Sequence, residues 1–221
     1  VSHPINDFEI NALGALNILE YARRTRSKKF ILLSTVSVYG KCNDLPLNES
    51  LIKKPISPYG ASKLSAENYC HVYNNCFGMD TRIARIYNVY GPGLRRLFIA
   101  DLINKIKSAN EHIDIIGDGK QIRDYIYITD LINALIIIEN KGLPGNDYDI
   151  SSGNPIQLYQ IIEMILKIMD KKNININYNN VRDLGDIKEW YGDPAKINKL
   201  GFKQKVDLYD GLKRTVTFHE N

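Results

Sequence analysis

The chain has 221 residues, 29 of them basic and 25 acidic, for a formal net charge of +4. A hydrophobic share of 44% with 24% charged residues is the make-up of one globular domain with a sizeable core, and it excludes a disordered or low-complexity chain. The charge is too mild and too evenly spread for a nucleic-acid binder. Cys42, Cys70 and Cys76 have neither C-x-x-C spacing nor clustered histidines, so zinc and a disulfide framework are disfavoured and a reducing cytoplasm is expected.

Apolar residues recur at helical spacing through Phe8, Ile10, Leu13, Leu16, Ile18 and Leu19, with Asp7 as the expected N-cap. The opening segment, with Asp7 and Glu9 among its apolar residues, does not read as a signal peptide, and His3 reads as a loop residue. Lys29–Ser34 is continuously apolar, like a buried parallel strand, and a loop rich in Asn, Pro and Lys runs from Gly40 to Ile56. Ser57 and Pro58 then start an amphipathic helix that reaches about Cys76. A strand over Thr81–Ile86 leads into a loop from Tyr87 to Gly93.

Farther on, a helix is expected near Phe98–Ser108, with short strands near Ile113–Ile116 and Tyr125–Ile128. Thr129 is expected to cap a helix through Ile138. A strand at Tyr148–Ile150, a helix at Leu158–Met169 and a strand at Ile174–Tyr178 follow, and Asp193-Pro194 and Asp207 cap two terminal helices. Strands alternating with helices predict an α/β architecture with a parallel sheet. No apolar run approaches the roughly 18–20 residues that cross a bilayer, so no membrane partner is expected.

The sharpest chemical signal is Tyr59-Gly60-Ala61-Ser62-Lys63. Residues four apart share a helix face, so Tyr59 and Lys63 point to the same side one turn apart. A phenol is a poor base at neutral pH. An ammonium about 4 Å away, at an effective dielectric near 20, is worth about 4 kcal/mol towards the phenolate. By itself Y-x-x-x-K occurs in many helices by chance. Here it follows Ser34-Thr35-Val36-Ser37-Val38-Tyr39-Gly40, a hydroxyl-rich turn directly after a strand, where α/β proteins place ligands. The other reading of those hydroxyls is that they end the strand and satisfy backbone groups.

In this order the motifs resemble the extended short-chain dehydrogenase/reductase family, in its nucleotide-sugar epimerase/dehydratase branch. The resemblance covers nearly the whole chain. Asn11-Ala12-Leu13-Gly14-Ala15-Leu16-Asn17-Ile18-Leu19-Glu20 is similar to that branch's N-x-x-G-T-x-N-x-L-E helix. The S-T-V-S-V-Y-G turn and S-P-Y-G-A-S-K follow. Arg85-Ile86-Tyr87-Asn88-Val89-Tyr90-Gly91-Pro92-Gly93 matches R-x-x-N-V-Y-G-P-G, and the segment from Gly117 to Tyr127 matches G-D-G-x-Q-x-R-D-F-I-Y.

The resemblance implies NAD as cofactor and a nucleotide-diphosphate sugar as substrate. Tyr59 is then the general acid/base, Lys63 its electrostatic partner and a holder of the nicotinamide ribose, and Thr35 a donor to the sugar hydroxyl being oxidised. It also implies that Asn11 and Tyr87 lie near the cofactor, and that Asn88, Arg123 and Arg182 bind the substrate diphosphate. Arg182 departs from the usual pattern, because Asp183 and Leu184 separate it from Gly185-Asp186. The alternatives are an ion pair of Arg123 with Asp124 or Asp130, a turn-capping Asn88, and a solvated Arg95-Arg96 pair.

Two departures refine the expectation. The branch's 4,6-dehydratases place Asp-Glu straight after the catalytic Thr, where this chain has Val36 and Ser37. Neither can shuttle a proton as a carboxylate would, so the expectation is epimerisation at C4 through a 4-ketosugar, with a 4-ketosugar reductase as the rival. In addition, none of the 15 glycines forms G-x-x-G-x-x-G or G-x-G-x-x-G, the turn that cradles a dinucleotide pyrophosphate. A non-catalytic binding module is therefore the alternative from another class.

The expected fold is a Rossmann-like doubly wound parallel sheet lacking its N-terminal strands, about 80–90 residues' worth at ~30 per βαβ unit, with a smaller C-terminal α/β substrate lobe. Residues 1–86 belong to the cofactor half and 87–221 mostly to the substrate lobe, with 129–150 returning to the main sheet. The strand at Lys29–Ser34 is then an exposed edge. The resemblance also implies a homodimer through the helices at 8–23 and 59–76.

Overall fold

The computed structural model describes residues 3–179 and 187–220. The chain opens with α1 (Pro4–Asp7), a single π-helical stretch over Phe8–Leu13, and α2 (Gly14–Arg24). These three run on as one helix, because the backbone at both junctions stays right-handed helical. The helix starts three residues before the predicted cap. Pro4 sits in its first turn, where a fixed φ and a missing N–H cost nothing, and Asp7 lies inside the helix.

β1 (Phe30–Thr35) leads into a 3₁₀ turn, Val36–Val38, and a long loop before α3 (Pro58–Phe77). α3 begins as the sequence predicts, with Ser57 Oγ accepting from the Gly60 N–H at 3.1 Å. It ends on Gly78, whose φ of 64° suits a residue without a Cβ. β2 (Thr81–Ile86) follows, and then β3 (Asn88–Tyr90), where a loop was expected. β3 exists because β6 lies alongside it, in the register Asn88↔Tyr125 to Tyr90↔Tyr127. A three-residue strand has no periodicity to read.

The remaining elements are α4 (Phe98–Ser108), β4 (His112–Ile116), β5 (Ile122–Arg123), β6 (Tyr125–Tyr127), α5 (Ile128–Lys141), β7 (Asp147–Ile150) and β8 (Ile156–Gln157). After them come α6 (Leu158–Ile168), β9 (Asn175–Asn179), β10 (Glu189–Trp190), α7 (Ala195–Lys199) and α8 (Leu208–Glu220). α5 starts one residue before Thr129, so Thr129 lies in its first turn rather than capping it. Asp193 and Asp207 do act as caps, accepting from the Ala195 and Asp210 N–H groups at 2.9 and 3.0 Å.

The main sheet is parallel in the order β1-β2-β7. α2 and α3 cover one face through Leu19, Ala66, Cys70 and Tyr73 against Leu32 and Ile83. α5 covers the other through Leu131, Ala134 and Ile138 against Ala84, Tyr148 and Ile150. A second core gathers α4, α6 and α8 around β4 and β6, through Ile99, Ile103, Ile161, Ile165 and Leu212. Beyond β1 no strand pairs among the described residues, and Leu33 on that edge is 47% exposed.

The middle of the sheet carries charge. Arg85 on β2 is fully buried and meets Glu67 of α3 through Nε at 2.9 Å and Nη2 at 2.8 Å. It also faces Asp147 at 2.5 Å and Asp149 at 3.6 Å on β7, and donates to the Tyr39 hydroxyl at 3.0 Å. Lys53 and Lys196 reach Asp147 from the outside, at 3.8 and 3.5 Å.

Candidate functional site

The C-terminal end of β1 gathers the predicted residues. Thr35 closes the strand and starts the 3₁₀ turn, its hydroxyl accepting from the Ser37 N–H at 3.2 Å and donating to Ser37 Oγ at 3.2 Å. Below it a small apolar cluster of Val36, Val38, Tyr39, Leu47 and Tyr87 forms a floor. The end of a parallel strand is where α/β folds open a crevice to ligand.

α3 brings the phenol and the ammonium. Tyr59 lies in its first turn and is 42% exposed. Lys63, one turn on, donates from Nζ to the Leu33 carbonyl at 2.6 Å, two residues before Thr35. Burial holds its ammonium below the usual lysine range, with the Glu67 carboxylate acting the other way.

Two features hold α3 close to its neighbours. Asn11, in the π-helical stretch, donates from Nδ2 to Ser62 Oγ at 3.2 Å, and Ser62 Oγ donates to the Tyr59 carbonyl at 2.8 Å. A π-turn inside an α-helix often marks a functional position, and here it delivers Asn11 to α3. Gly60 is the second. A Cβ there would lie 2.6 Å from the Ser37 carbonyl oxygen and 3.0 Å from Pro55 Cβ, so only glycine lets the helix approach the turn this closely.

The other predicted residues are spread more widely. The Tyr87 hydroxyl is turned inward, donating to Asp149 at 3.1 Å. Asn88 donates from Nδ2 to the Asp124 carbonyl at 2.9 Å, bracing β3 against the start of β6. Arg123 donates from Nη1 to the Ile122 and Lys188 carbonyls at 2.9 and 3.2 Å. The carboxylates proposed as its alternative partners are held by loop amides: Asp124 by Ser152 and Gly153, Asp130 by Lys205 and Val206. Burial nevertheless raises the Asp124 carboxyl above its ordinary range. Arg95 and Arg96 are exposed. Arg182 lies outside the described residues.

A surface hollow of about 690 Å³ between Asn154, Gln160, Lys205 and Tyr209 takes in none of Thr35, Tyr59 and Lys63. Ser34 and Glu67, joined by a 2.5 Å hydrogen bond, were not predicted as part of the site. The signal was present: Glu67 is four residues past Lys63, so Y-x-x-x-K-x-x-x-E marks one continuous helix face.

Residues 1–151 match the model of the NAD dependent epimerase/dehydratase family. A UDP-glucuronate 4-epimerase of Thermodesulfobacterium geofontis is 34% identical over 94% of this chain and 64% of its own. A human dTDP-D-glucose 4,6-dehydratase is 29% identical over 95% of this chain and 61% of its own. The chain thus spans less than two thirds of the length of either relative. A solved UDP-N-acetylglucosamine 4-epimerase from Methanobrevibacter ruminantium, in complex with UDP-N-acetylmuramic acid, superposes with a TM-score of 0.92 at 27% identity. That superposition covers all of this chain and 72% of the other. Such likeness extends to the parallel sheet and the helices around it.

The floor of the site titrates in a predictable direction. Burial, with the Glu49 carboxylate adding to it, pushes Asp149 up from 3.8 to about 7, against the pull of Arg85. The folded chain holds that proton more tightly than the unfolded one. Its stabilising contribution is therefore full below about pH 4 and is lost as pH rises through 7. Melting temperatures of the parent and of Asp149→Asn between pH 5 and 8 test this. The advantage of the parent should be widest at pH 5 and shrink towards pH 8; a gap that widens with pH would refute it.

Proposed function

Because the chain belongs to the NAD dependent epimerase/dehydratase family, we propose that it carries the proton-moving and substrate-holding part of an NAD-dependent 4-epimerase of nucleotide-diphosphate sugars. What supports this reading is that Lys63 Nζ binds the Leu33 carbonyl two residues before Thr35, which sets the first turns of α3, bearing Tyr59 and Lys63, against the end of β1, with Val36 and Ser37 where a dehydratase of this branch has carboxylates.

An exposed tyrosine one helical turn from a lysine, at the carboxyl end of a parallel sheet, suits the nicotinamide-ribose end of NAD. When bound, NAD supplies the acceptor for a hydride from the sugar and the donor that returns it. The chain's own residues manage the oxygen. Tyr59 takes the proton from the C4 hydroxyl and later gives it back, and Lys63 lowers the cost of the phenolate. Thr35 fixes the same oxygen by a hydrogen bond. The resulting 4-ketosugar needs no second base, which fits Val36 and Ser37. Asn88, Arg123 and Arg182 hold the diphosphate, where a guanidinium fork suits phosphate oxygens. Residues 1–86 and 129–150 form the cofactor half in this reading, and the rest of 87–221 the substrate lobe.

The reading extends to assembly and cofactor affinity. The helices at 8–23 and 59–76 expose Phe8, Ile18, Tyr21, Tyr69 and Val72, an apolar face suited to a second copy of the chain. The unpaired thiols of Cys42, Cys70 and Cys76 suit a reducing cytoplasm. With no glycine-rich turn among its 15 glycines, the chain by itself binds NAD weakly or not at all.

The central test is an assay with UDP- and dTDP-sugars, in a protein carrying this chain together with a glycine-rich dinucleotide turn. Epimerisation should proceed without net cofactor use, and Tyr59→Phe should lower kcat by about 10²–10⁴-fold while leaving the melting temperature in place. Stoichiometric consumption of NADH or NADPH would instead make the protein a reductase, and full activity in Tyr59→Phe would sink the mechanism. Calorimetric titration of the chain alone should show no NAD binding in the micromolar range; micromolar affinity would overturn that expectation. Sedimentation equilibrium should return twice the chain mass, and a shift to one chain mass in Ile18→Glu; a parent that sediments as a monomer refutes the dimer.

A further inference from the structure

We infer that Glu67 is a positioning residue for the Thr35–Tyr59–Lys63 site, acting through Ser34 and with Arg85 as its support. This rests on the catalytic reading above and deepens it. Tyr59, Lys63 and Glu67 stand at four-residue intervals on one face of α3. The last two grip consecutive residues of β1. Lys63 Nζ donates to the Leu33 carbonyl at 2.6 Å, and Ser34 Oγ donates to Glu67 Oε1 at 2.5 Å. Thr35 is the next residue along the strand. The helix and the strand are therefore pinned at two adjacent points directly before the reacting hydroxyl.

Glu67 makes a firm pin because it is itself fixed. Its carboxylate is fully buried, and Arg85 holds both of its oxygens, Oε1 through Nε at 2.9 Å and Oε2 through Nη2 at 2.8 Å. Arg85 is in turn held by Asp147 and by the Tyr39 hydroxyl. Glu67 does not reach the substrate side, because its oxygens are occupied inside the core. Its effect on the reaction is geometric: it sets how far Tyr59 and Lys63 stand from Thr35. A displacement of about 1 Å at a reacting group can cost on the order of 10²-fold in rate.

Ser34→Ala is the decisive variant. It cuts the link between strand and helix but leaves the Arg85–Glu67 pair and the charge on Glu67 unchanged. Glu67→Gln removes the charge as well and disturbs the buried Arg85 cluster, so it serves as the second variant. The activity-independent readout is the ¹³Cε resonance of Lys63 in lysine-labelled protein, identified by its loss in Lys63→Arg.

In Ser34→Ala the Lys63 resonance should move. In the NAD-loaded protein that carries this chain together with a glycine-rich dinucleotide turn, kcat should fall by about 10–100-fold with KM within about 2-fold, and Ser34→Thr should restore both. A Lys63 resonance that stays in place in a folded Ser34→Ala overturns the proposal, whatever happens to turnover. So does a change confined to the melting temperature. If the parent shows no epimerase activity while the Lys63 resonance still moves in Ser34→Ala, the positioning of Lys63 stands and the functional reading falls.

Discussion

The buried contact between Arg85 and Glu67 is the constraint on which the arrangement of this molecule depends. It joins the middle strand of the parallel sheet to the helix that carries Tyr59 and Lys63. A buried ion pair gains little net stability over a well-packed apolar pair, because both ions lose water. Removing one partner is different, and leaves an uncompensated charge at a cost of about 3–5 kcal/mol. The pair therefore acts less as glue than as a fixed address. An apolar contact between α3 and β2 could slide by a fraction of a turn, whereas a guanidinium bonded to both oxygens of one carboxylate admits a single register.

The same cluster explains an electrostatic peculiarity of the floor. Arg85 faces three carboxylates, those of Glu67, Asp147 and Asp149. Lys53 and Lys196 relieve Asp147 from outside, and its carboxyl is held below the ordinary range by Arg85 first and by these lysines next. Asp149 lies deeper, fully buried, with Arg85 at 3.6 Å. It receives the Tyr39 and Tyr87 hydroxyls, while Glu49 takes its backbone N–H. Burial first, and then the Glu49 carboxylate, raise the Asp149 carboxyl above its ordinary range, while Arg85 and the two phenol hydrogen bonds pull it back.

Much of this was legible in residue order. α3 announced itself by Ser57, Pro58 and a long amphipathic run, and Tyr59 and Lys63 by their spacing. β1 was readable because Phe30–Leu33 is a continuous apolar run. What escaped was whatever depends on a partner distant in sequence. β3 is three residues long and becomes a strand only by lying against β6. The π-helical stretch leaves no mark in apolar periodicity, yet it brings Asn11 to Ser62. Asp7 looked like a cap because it precedes an apolar run, but Pro4 opens the helix earlier. Arg85 was visible only as the first letter of a motif; its burial among carboxylates follows from the order β1-β2-β7, which places it in the middle strand.

Gly60 lies within the motif that supplies the phenol and ammonium, and its lack of a side chain has a consequence for how this surface can change. With the Ser37 carbonyl oxygen 2.6 Å from where a Cβ would be, even alanine must wedge α3 away from the turn that follows Thr35. The wedge would act next to Tyr59, about two helical turns before the Glu67 anchor. Loops away from that junction can change without disturbing it. The width of the cleft cannot, because it is set by the thickness of a bare peptide.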